Sequence, residues 1–485
     1  MLTVLAQYIS VSNDTTIITG TVAVAAHVDA VLAIVKAKIT ESKGLPVSHI
    51  AHGLPMGCDE ADSCTEYSTY TGTFGELPCE HTRPRLSLVP RTLWAAVFQF
   101  RSLTLRLCLP ISPADFPSAM ELWRGLRDLG RVYETAGFGF DATYVTEGTE
   151  LQAIAASLSA DINRSWSRSV AAAGCPPYVA GAGANRSIPL NSCSRVEGLV
   201  KLYHKSVANG GLLPATRPAS TFGRVSEPWR AFAEMYHSGW LSDADTEAIY
   251  RYQQNTDGLM RLGISGGANL PNAMFGHTAY GHAYGLVGAS MAEEFVLFLF
   301  AQSHHGATKG TWTFWEKVLL DRSKVVCCFA APAQLTIPSS LRWALVFADE
   351  GRGIVAMSRT LPRAWFSQPN ATLEVNHAPV SRQLLQGGGV SFSLRRSGAT
   401  HNIVASVAVA GPAGPALKML SLRLRLPKAW GAITAVTAGN GDDWTGKLGG
   451  ADGDVLVLCT DGNVPDAVAL QRIQVGFAAI AEHRV

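Results

Sequence analysis

The apolar residues in the first two thirds of the chain recur every three to four positions. Two stretches, at 121–133 and 150–166, carry this spacing most clearly, and each predicts one apolar helix stripe. Because such stripes bury well against each other, we expect two facing helices of an all-α unit. A further helix is predicted after Ser242, an N-cap residue with two aspartates in the following turn. The two stripes consist of Leu122, Leu126, Leu129 and Tyr133, and of Leu151, Ala155, Leu158, Ile162 and Trp166.

From about residue 341 apolar and polar residues alternate instead. Runs such as "GIVAMS", "VSFSLRR" and "DVLVLCT" are separated by Gly, Pro, Asn and Asp turns at roughly ten-residue spacing, which is typical of an antiparallel sandwich or barrel. The chain is therefore predicted to be multidomain, α then β. A helical domain covers 1–335, with an irregular insertion near 76–112, and an antiparallel β-sandwich domain covers 341–485. The proline-bounded segment "APAQLTIPSS" near residue 335 is the expected junction.

Composition restricts the class of protein without naming a function. The 485 residues are 47% hydrophobic and 16% charged, and 40 Lys and Arg nearly balance 38 Asp and Glu. A chain of this length buries cores large enough to fold without disulfides or structural metals. Without a long basic block, nothing favours nucleic acid or an anionic membrane surface as a partner.

The N-terminal apolar segment and the cysteines do not indicate a targeting sequence or a metal site. Residues 16–39 contain four charged or titratable side chains and no basic region precedes them, so a packed helix is predicted rather than a membrane span or signal peptide. The nine cysteines contain no CxxC pair, and we expect no structural zinc, no disulfide framework and no cofactor. Asn-x-Ser/Thr sequons, such as the one at Asn370, would permit glycosylation if the chain were secreted, so the compartment stays open.

Residues 276–285 interleave glycines with His277, Tyr280, His282 and Tyr284. Flat rings with polar tips suit sugar recognition, because the ring face covers a C–H patch while the hydroxyl or imidazole meets sugar hydroxyls. Glycines would let the backbone approach such a ligand closely. We therefore expect a loop at a binding cleft. The alternative is that these rings cap core helices through satisfied hydrogen bonds.

Carboxylates are the other chemistry this part of the chain offers. A buried helix is predicted from about 287 to 302. Glu293 and Glu294 lie directly before its apolar run. At least one of them must meet an arginine, a backbone amide or a cleft, because burying both unpaired would cost several kcal/mol each. Further carboxylates are more simply explained as solvated charges. These are Asp59, Glu60, Asp62, Glu66, Asp141 and Glu234.

After the predicted helix, His304 and His305 precede the segment "KGTWTFWE". Adjacent helical residues point about 100° apart, so the histidine pair gives little support to a metal site. A glutamate whose carboxyl lay between the indole rings of Trp312 and Trp315 would be desolvated on two sides, which raises the pKa of that carboxyl. Glu316 would then suit the role of a general acid at neutral pH.

Three segments taken together resemble a known group of proteins. Residues 227–263, 277–316 and 331–380, with the phrases "HTAYGHAYG", "GTWT" followed by a glutamate, and "PAQLTIP", are similar to six-hairpin-glycosidase-like proteins. The resemblance covers roughly residues 190–400. It implies an (α/α) toroid of paired helices followed by an antiparallel β-domain. It also implies that Met1 begins partway round the ring, so that early hairpins and any signal peptide are absent from this chain.

The resemblance implies a carbohydrate-active enzyme, and a glycoside hydrolase is the first hypothesis. Hydrolysis needs one carboxylic acid to protonate the leaving oxygen and a carboxylate to activate water. We expect Glu316 as the acid and Glu294 or Asp62 as its partner. The expected sugar-binding residues are His277, Tyr280, Tyr284, Trp312 and His304. The expected partner is a carbohydrate, and the oligomeric state stays open.

Two alternatives remain. In a polysaccharide lyase a Tyr or His base removes the C5 proton of a uronate sugar while Asn or Arg neutralises the carboxylate. His277, Tyr280, Asn272 and Arg261 would then be the active residues. A carbohydrate-binding protein that has lost the chemistry would bind a glycan without turnover.

Overall fold

A computed structural model gives the fold of most of the chain. It describes residues 2–44, 46–47, 52–55, 113–114, 116–173, 203–204, 228–255, 260–266, 273–308, 310–321, 323, 325–396, 403–430, 432–438, 441–450, 453–460 and 473–477. The predicted irregular insertion, the acidic loop with Asp62, and Asn272 all lie outside these residues.

Helices dominate up to residue 345. They are α1 (Leu2–Ser12), α2 (Thr16–Thr19), α3 (Val22–Lys43), α4 (Phe116–Glu134), α5 (Ala142–Ala173), α6 (Pro228–Ser238), α7 (Asp243–Asn255), α8 (Ala279–Gly288), α9 (Ala292–His304) and α10 (Ala331–Leu345). No helix in the described ranges is long and apolar enough to cross a bilayer.

The predicted pair of facing helices is confirmed in α4 and α5. A Cβ atom at Gly130 would lie 2.9 Å from the Gly148 carbonyl oxygen, so the two backbones approach closely where both residues are glycine. The helix predicted after Ser242 is confirmed as α7, because the Ser242 hydroxyl accepts a hydrogen bond from Asp245 N at 3.0 Å.

The segment around residue 287 differs from the prediction. In place of a loop and one helix, the glycine-rich repeat itself is helical as α8, and Ser290, with φ of 59°, separates it from α9. Nearly all of α8 is buried. Its tertiary packing outweighs the low helix propensity of glycine, a contribution that the local pattern does not reveal.

Short strands accompany the helices. These are the pairs β1 (Pro113–Ala114) with β2 (Tyr203–His204) and β3 (Met260–Arg261) with β4 (Ile264–Ser265), and the antiparallel sheet of β5 (Ala273–Phe275), β6 (Trp315–Leu319) and β7 (Val325–Cys328). The segment "KGTWTFWE" thus leads into β6, which pairs with β5 directly before α8.

The segment "APAQLTIPSS" lies where the helical part meets the β part, and it is itself helical. It forms most of α10, with Pro332 in the first turn and Pro338 inside the helix, and α10 leads directly into the first strand of the β part. Proline is tolerated in a first turn, where its missing N–H would have no helical partner. The proline-bounded pattern therefore marked a helix start rather than a break.

The β part contains two five-stranded sheets. One has the order β10 (Thr372–Pro379), β11 (Gly389–Arg396), β12 (Ile403–Ala410), β17 (Ile473–Phe477), β14 (Ile433–Ala438). The other has the order β15 (Leu448–Gly449), β16 (Val455–Thr460), β13 (Met419–Arg423), β9 (Ile354–Met357), β8 (Val346–Asp349). Apolar side chains from both sheets form one core, among them Phe392 and Ile403 from the first and Met357 and Leu456 from the second.

The prediction of wholly antiparallel sheets is wrong at one position. Strands β9 and β13 run parallel, with Ile354 opposite Met419. Parallel neighbours need a long crossover connection, and here the chain forms β10, β11 and β12 of the other sheet between them. Alternation along each strand does not specify this pairing.

Candidate active site

Several residues singled out by the sequence converge at the N-terminal end of α8. The Glu316 carbonyl oxygen on β6 accepts hydrogen bonds from Gly276 N at 2.8 Å and His277 N at 3.4 Å. His277 Nδ1 lies 3.2 Å from the same oxygen. A Cβ atom at Gly276 would lie 2.4 Å from the Trp315 carbonyl oxygen, so the close approach requires glycine there. The backbone of Glu316 is thereby fixed beside His277, three residues before Tyr280.

A carboxylate and a histidine from two further helices meet beside Tyr280. Glu121 Oε1 of α4 lies 2.9 Å from His237 Nδ1 of α6. The side chains of Glu121 and His237 are 27% and 21% exposed, so solvent reaches the pair. The His237 ring contacts the Tyr280 ring edge-on, with centroids 5.2 Å apart. A partly exposed acid–base pair thus lies against an aromatic ring.

Electrostatics keep the Glu121 carboxylate ionised. Burial alone would raise the pKa of its carboxyl, but His237 and Arg124 together hold that pKa below its ordinary value. A carboxylate that accepts the Nδ1 proton of an imidazole orients the ring and leaves Nε2 to accept a proton. The Glu121–His237 pair therefore has the chemistry of a general base.

Tyr280 lies within electrostatic reach of two carboxylates. Burial raises the pKa of its phenol, and the charges of Glu121 and Glu234 raise it further against the opposing effect of Arg124. The phenol therefore stays protonated at neutral pH. It offers a hydrogen-bond donor and a ring face rather than a base.

Arg124 lies beneath the Glu121–His237 pair. Its side chain is 5% exposed, and its Nη1 donates to the backbone carbonyl of His237. Its Nη2 donates to the Tyr284 hydroxyl at 3.4 Å, and its guanidinium carbon is 4.9 Å from the centroid of that ring. Its Nε lies 3.5 Å from Asp128 Oδ2. Arg124 thus links α4 to both α6 and α8 through its guanidinium group.

The β part reaches this group through the end of β8 and the turn that follows it. The Tyr284 hydroxyl donates to Asp349 Oδ2 at 3.1 Å, and Arg352 N donates to Asp349 Oδ1 at 3.1 Å. Asp349 is buried. Burial raises the pKa of the Tyr284 phenol, Arg124 opposes that shift, and Asp349 adds to it. Tyr284 is therefore a protonated donor shared between the two parts of the chain.

A second carboxylate of the same turn faces α4. Burial and the nearby charge of Asp128 raise the pKa of Glu350 to about 7, against the opposing effects of Ser381, Arg127 and Arg131. The Glu350 backbone carbonyl accepts a hydrogen bond from Arg131 Nη1 at 2.7 Å. The contact between α4 and this turn therefore contains a carboxyl group that titrates near neutral pH.

Three other predicted residues have different surroundings. Glu294 forms an ion pair with Arg251 of α7. His304 stacks on Phe300 of the same helix, with centroids 5.3 Å apart. Trp312 lies in the turn before β6 and is 65% exposed. The requirement that a carboxylate at the start of α9 find an arginine is met by Arg251, which gives Glu294 a structural partner.

The expected desolvation of Glu316 by two indoles is wrong. Trp315 and Glu316 are successive residues of β6, and successive side chains of a strand point to opposite faces. Trp312 is largely exposed in the preceding turn. The spacing of the two tryptophans in sequence therefore does not place their rings on either side of the carboxylate.

The glycines of the repeat serve helix packing rather than approach to a ligand. A Cβ atom at Gly281 would lie 2.0 Å from the Ala233 carbonyl oxygen of α6. His282 is a core residue, with Nε2 3.2 Å from Gln253 Oε1, and burial lowers its pKa to about 3. For these positions the core interpretation holds, whereas Tyr280 faces the Glu121–His237 pair.

Glu121, Arg124 and His237 were not predicted from the sequence. A signal was present in α4, where Glu121, Arg124 and Asp128 recur at helical spacing beside the apolar stripe. A second polar stripe along a helix that is already buried on one side indicates a polar contact with another element. The contact with His237 depends on tertiary packing and has no such local signal.

The side chains offer little support for a metal site. Within the described ranges, no group of three or more His, Cys, Asp and Glu side chains is placed to hold a metal ion. The pair of His304 and His305 has rings 4.8 Å apart in an edge-on arrangement.

Comparisons with known proteins add a distant structural likeness. No family model and no curated protein sequence matches the chain. A solved structure of a beta-arabinofuranosidase of glycoside hydrolase family 127 is similar at 12% identity with a TM-score of 0.28. The likeness covers 74% of this chain and 60% of the other, so the chain spans less than two thirds of that protein.

Proposed function

We propose that the protein is a carbohydrate-active enzyme, a glycoside hydrolase acting on an oligo- or polysaccharide, with its site at the N-terminal end of α8. The observation that carries the proposal is the Glu121 carboxylate 2.9 Å from His237, partly exposed and flanked by the Tyr280 ring. Sugar hydrolysis needs such a proton acceptor beside a ring on which the substrate packs.

The proposed reaction is the displacement of the leaving oxygen by water at the anomeric carbon. The Glu121–His237 pair accepts the proton of the attacking water, and the general acid donates a proton to the leaving oxygen, so charge is conserved. We assign the acid to Glu316, because its backbone is fixed beside His277 at the same end of α8. Glu121 takes the base role that the sequence suggested for Glu294 or Asp62.

The proposed architecture is an (α/α) toroid followed by a β-sandwich. Antiparallel pairing of α4 with α5 through Gly130 and Gly148 is the type of contact from which a toroid is built. A single apolar core lined by both five-stranded sheets is the arrangement of a sandwich.

A polysaccharide lyase is less well supported by the same residues. A lyase tyrosine must lose its phenol proton to act as the base. Burial instead raises the pKa of both Tyr280 and Tyr284, and Glu121 and Asp349 add to these shifts. Arg261 lies on the short strand β3, with its guanidinium donating to the Met260 carbonyl at 3.2 Å.

The decisive experiment is a screen of aryl glycosides and oligosaccharides followed by two substitutions. We expect release of reducing ends without new ultraviolet absorbance, and a loss of kcat in Glu121→Gln and in Glu316→Gln on the order of 10²–10⁴-fold. Glu150→Gln is the matched control, because Glu150 is 55% exposed and pairs with Lys36.

Each contrary result has a distinct meaning. Wild-type turnover by Glu121→Gln would overturn the base assignment, and wild-type turnover by Glu316→Gln would overturn the acid assignment. New ultraviolet absorbance would identify a lyase. Binding of an oligosaccharide without turnover by the wild type would favour the carbohydrate-binding alternative.

A further inference from the structure

We infer that Asp349, the last residue of β8, is a positioning residue for the Glu121–His237 pair and acts through Tyr284 and Arg124. This inference rests on the proposed function for its catalytic consequence. The β part of the chain would then complete the active site without contacting the substrate. The chain of contacts runs from the end of β8 through α8 to α4 and α6.

The first contacts fix Tyr284. Asp349 Oδ2 accepts a hydrogen bond from the Tyr284 hydroxyl at 3.1 Å, and Asp349 Oδ1 accepts one from Arg352 N. Asp349 is 5% exposed, so water does not replace these partners readily. Gly239, directly after α6, has φ of 68° and lies against this carboxylate. A Cβ atom at Gly239 would lie 3.3 Å from Asp349 Oδ2.

The next contacts connect Tyr284 to the Glu121–His237 pair. The Tyr284 hydroxyl accepts a hydrogen bond from Arg124 Nη2, and the guanidinium group of Arg124 lies over the Tyr284 ring. These two contacts restrain the arginine in two directions. Arg124 in turn donates to the His237 backbone carbonyl. The His237 ring also contacts the Tyr284 ring, with centroids 5.3 Å apart. Displacement of Tyr284 would therefore move both the charge beside Glu121 and the ring that Glu121 holds.

Charge adds to geometry in this arrangement. Arg124 lies among Asp128, Glu121 and Asp349, and their charges all favour its ionised form. Removal of the Asp349 carboxylate would leave the arginine to draw more strongly on Glu121. A catalytic group displaced by about 1 Å through a distant substitution can lose up to about 10²-fold in rate.

The experiment uses the full chain with Tyr284→Phe, Asp349→Ala, Asp349→Asn and the double variant Tyr284→Phe/Asp349→Ala. We expect each of the first two to lower kcat on the order of tenfold with little change in KM, because the substrate is not contacted. Asp349→Asn keeps an oxygen acceptor but not the charge, so it should recover part of the activity that Asp349→Ala loses. The double variant should lose less than the product of the two single losses, since both substitutions break the bond between the Tyr284 hydroxyl and Asp349.

Asp454→Asn is the matched control. Asp454 is also a buried aspartate of the β part, with Oδ1 3.0 Å from Arg423 Nε. It should lose stability without losing kcat per folded molecule. Additive effects of Tyr284→Phe and Asp349→Ala, or wild-type kcat in Tyr284→Phe, would overturn the inference. If Asp349→Ala does not fold, Tyr284→Phe still decides.

A second readout separates this inference from the proposed function. The ring nitrogens of His237 can be followed by NMR, with the signal assigned through His237→Gln. Tyr284→Phe should change the chemical shifts of the His237 ring nitrogens, because the two rings are in contact, whereas Asp454→Asn should not. If the wild type cleaves no glycoside, the proposed function fails and this measurement still tests the positioning. Unchanged His237 chemical shifts in Tyr284→Phe would overturn the positioning alone.

Discussion

Glu121 of α4 and His237 of α6 lie 116 positions apart in the chain, yet their side chains meet at 2.9 Å. The contact requires α4 and α6 to pack side by side, and Arg124 adds a bond from α4 to the His237 carbonyl. The contact between Glu121 and His237 therefore depends both on their charges and on the packing of α4 against α6. Its pH dependence follows from the sign of the Glu121 shift.

Glu121 should stabilise the fold at neutral pH and lose that effect in acid. Its pKa is lower in the folded chain than in the unfolded chain, so its contribution is present above about pH 4.3 and is lost as the pH falls through the folded pKa. Glu121→Gln should therefore melt below the wild type at pH 7, by a difference of order 1 kcal/mol in unfolding free energy. Thermal melts from pH 7 to pH 3 should show this difference shrinking. A difference that stays constant across the range would contradict the ionised pair.

Glu350 should have the opposite effect. Its pKa is raised to about 7, so the folded chain binds a proton that the unfolded chain has released, and stability falls as the pH rises from about 4.3 to about 7. Glu350→Gln removes the ionised form. The unfolding free energy of the variant, relative to the wild type, should therefore be higher at pH 8 than at pH 4.5 by on the order of 1–3 kcal/mol. Differential scanning calorimetry at the two pH values measures this. Glu150→Gln, on an exposed side chain, should show no such change, and a Glu350→Gln melt that tracks the wild type at both values would rule out the titration.

The sequence predicted the helical and β parts and the pairing of α4 with α5, because one-sided burial leaves a period that is visible in the residues. It did not predict α8, where Gly281 and Gly285 have poor helix propensity but permit contact with α6. It named Tyr280 and missed Glu121 and His237 beside it. Their meeting depends on the packing of three helices, which no local spacing encodes.

Gly281→Ala tests the packing explanation for the repeat. Alanine has the higher helix propensity by about 1 kcal/mol, so a helix with free space there would be stabilised. A Cβ at this position would instead lie 2.0 Å from the Ala233 carbonyl oxygen, so we expect destabilisation of about 1–3 kcal/mol or more. Urea unfolding measures the change. Gly446→Ala is the control, because a Cβ there meets no atom within 4 Å, and equal effects of the two substitutions would contradict the close packing.

Trp312 separates a sugar-binding role from a structural one. Its side chain is 65% exposed and its φ is 52°, a conformation that costs a residue other than glycine about 1–2 kcal/mol. Trp312→Gly relieves that strain and loses little buried surface, so the melting temperature should stay within a few degrees of the wild type. If the indole is a wall of the sugar site, KM should rise about tenfold or more in Trp312→Gly while Trp312→Phe keeps most of the affinity. Kinetics on the best glycoside from the screen measure both, and an unchanged KM in Trp312→Gly would remove Trp312 from the site and leave the Glu121–His237–Tyr280 group without it.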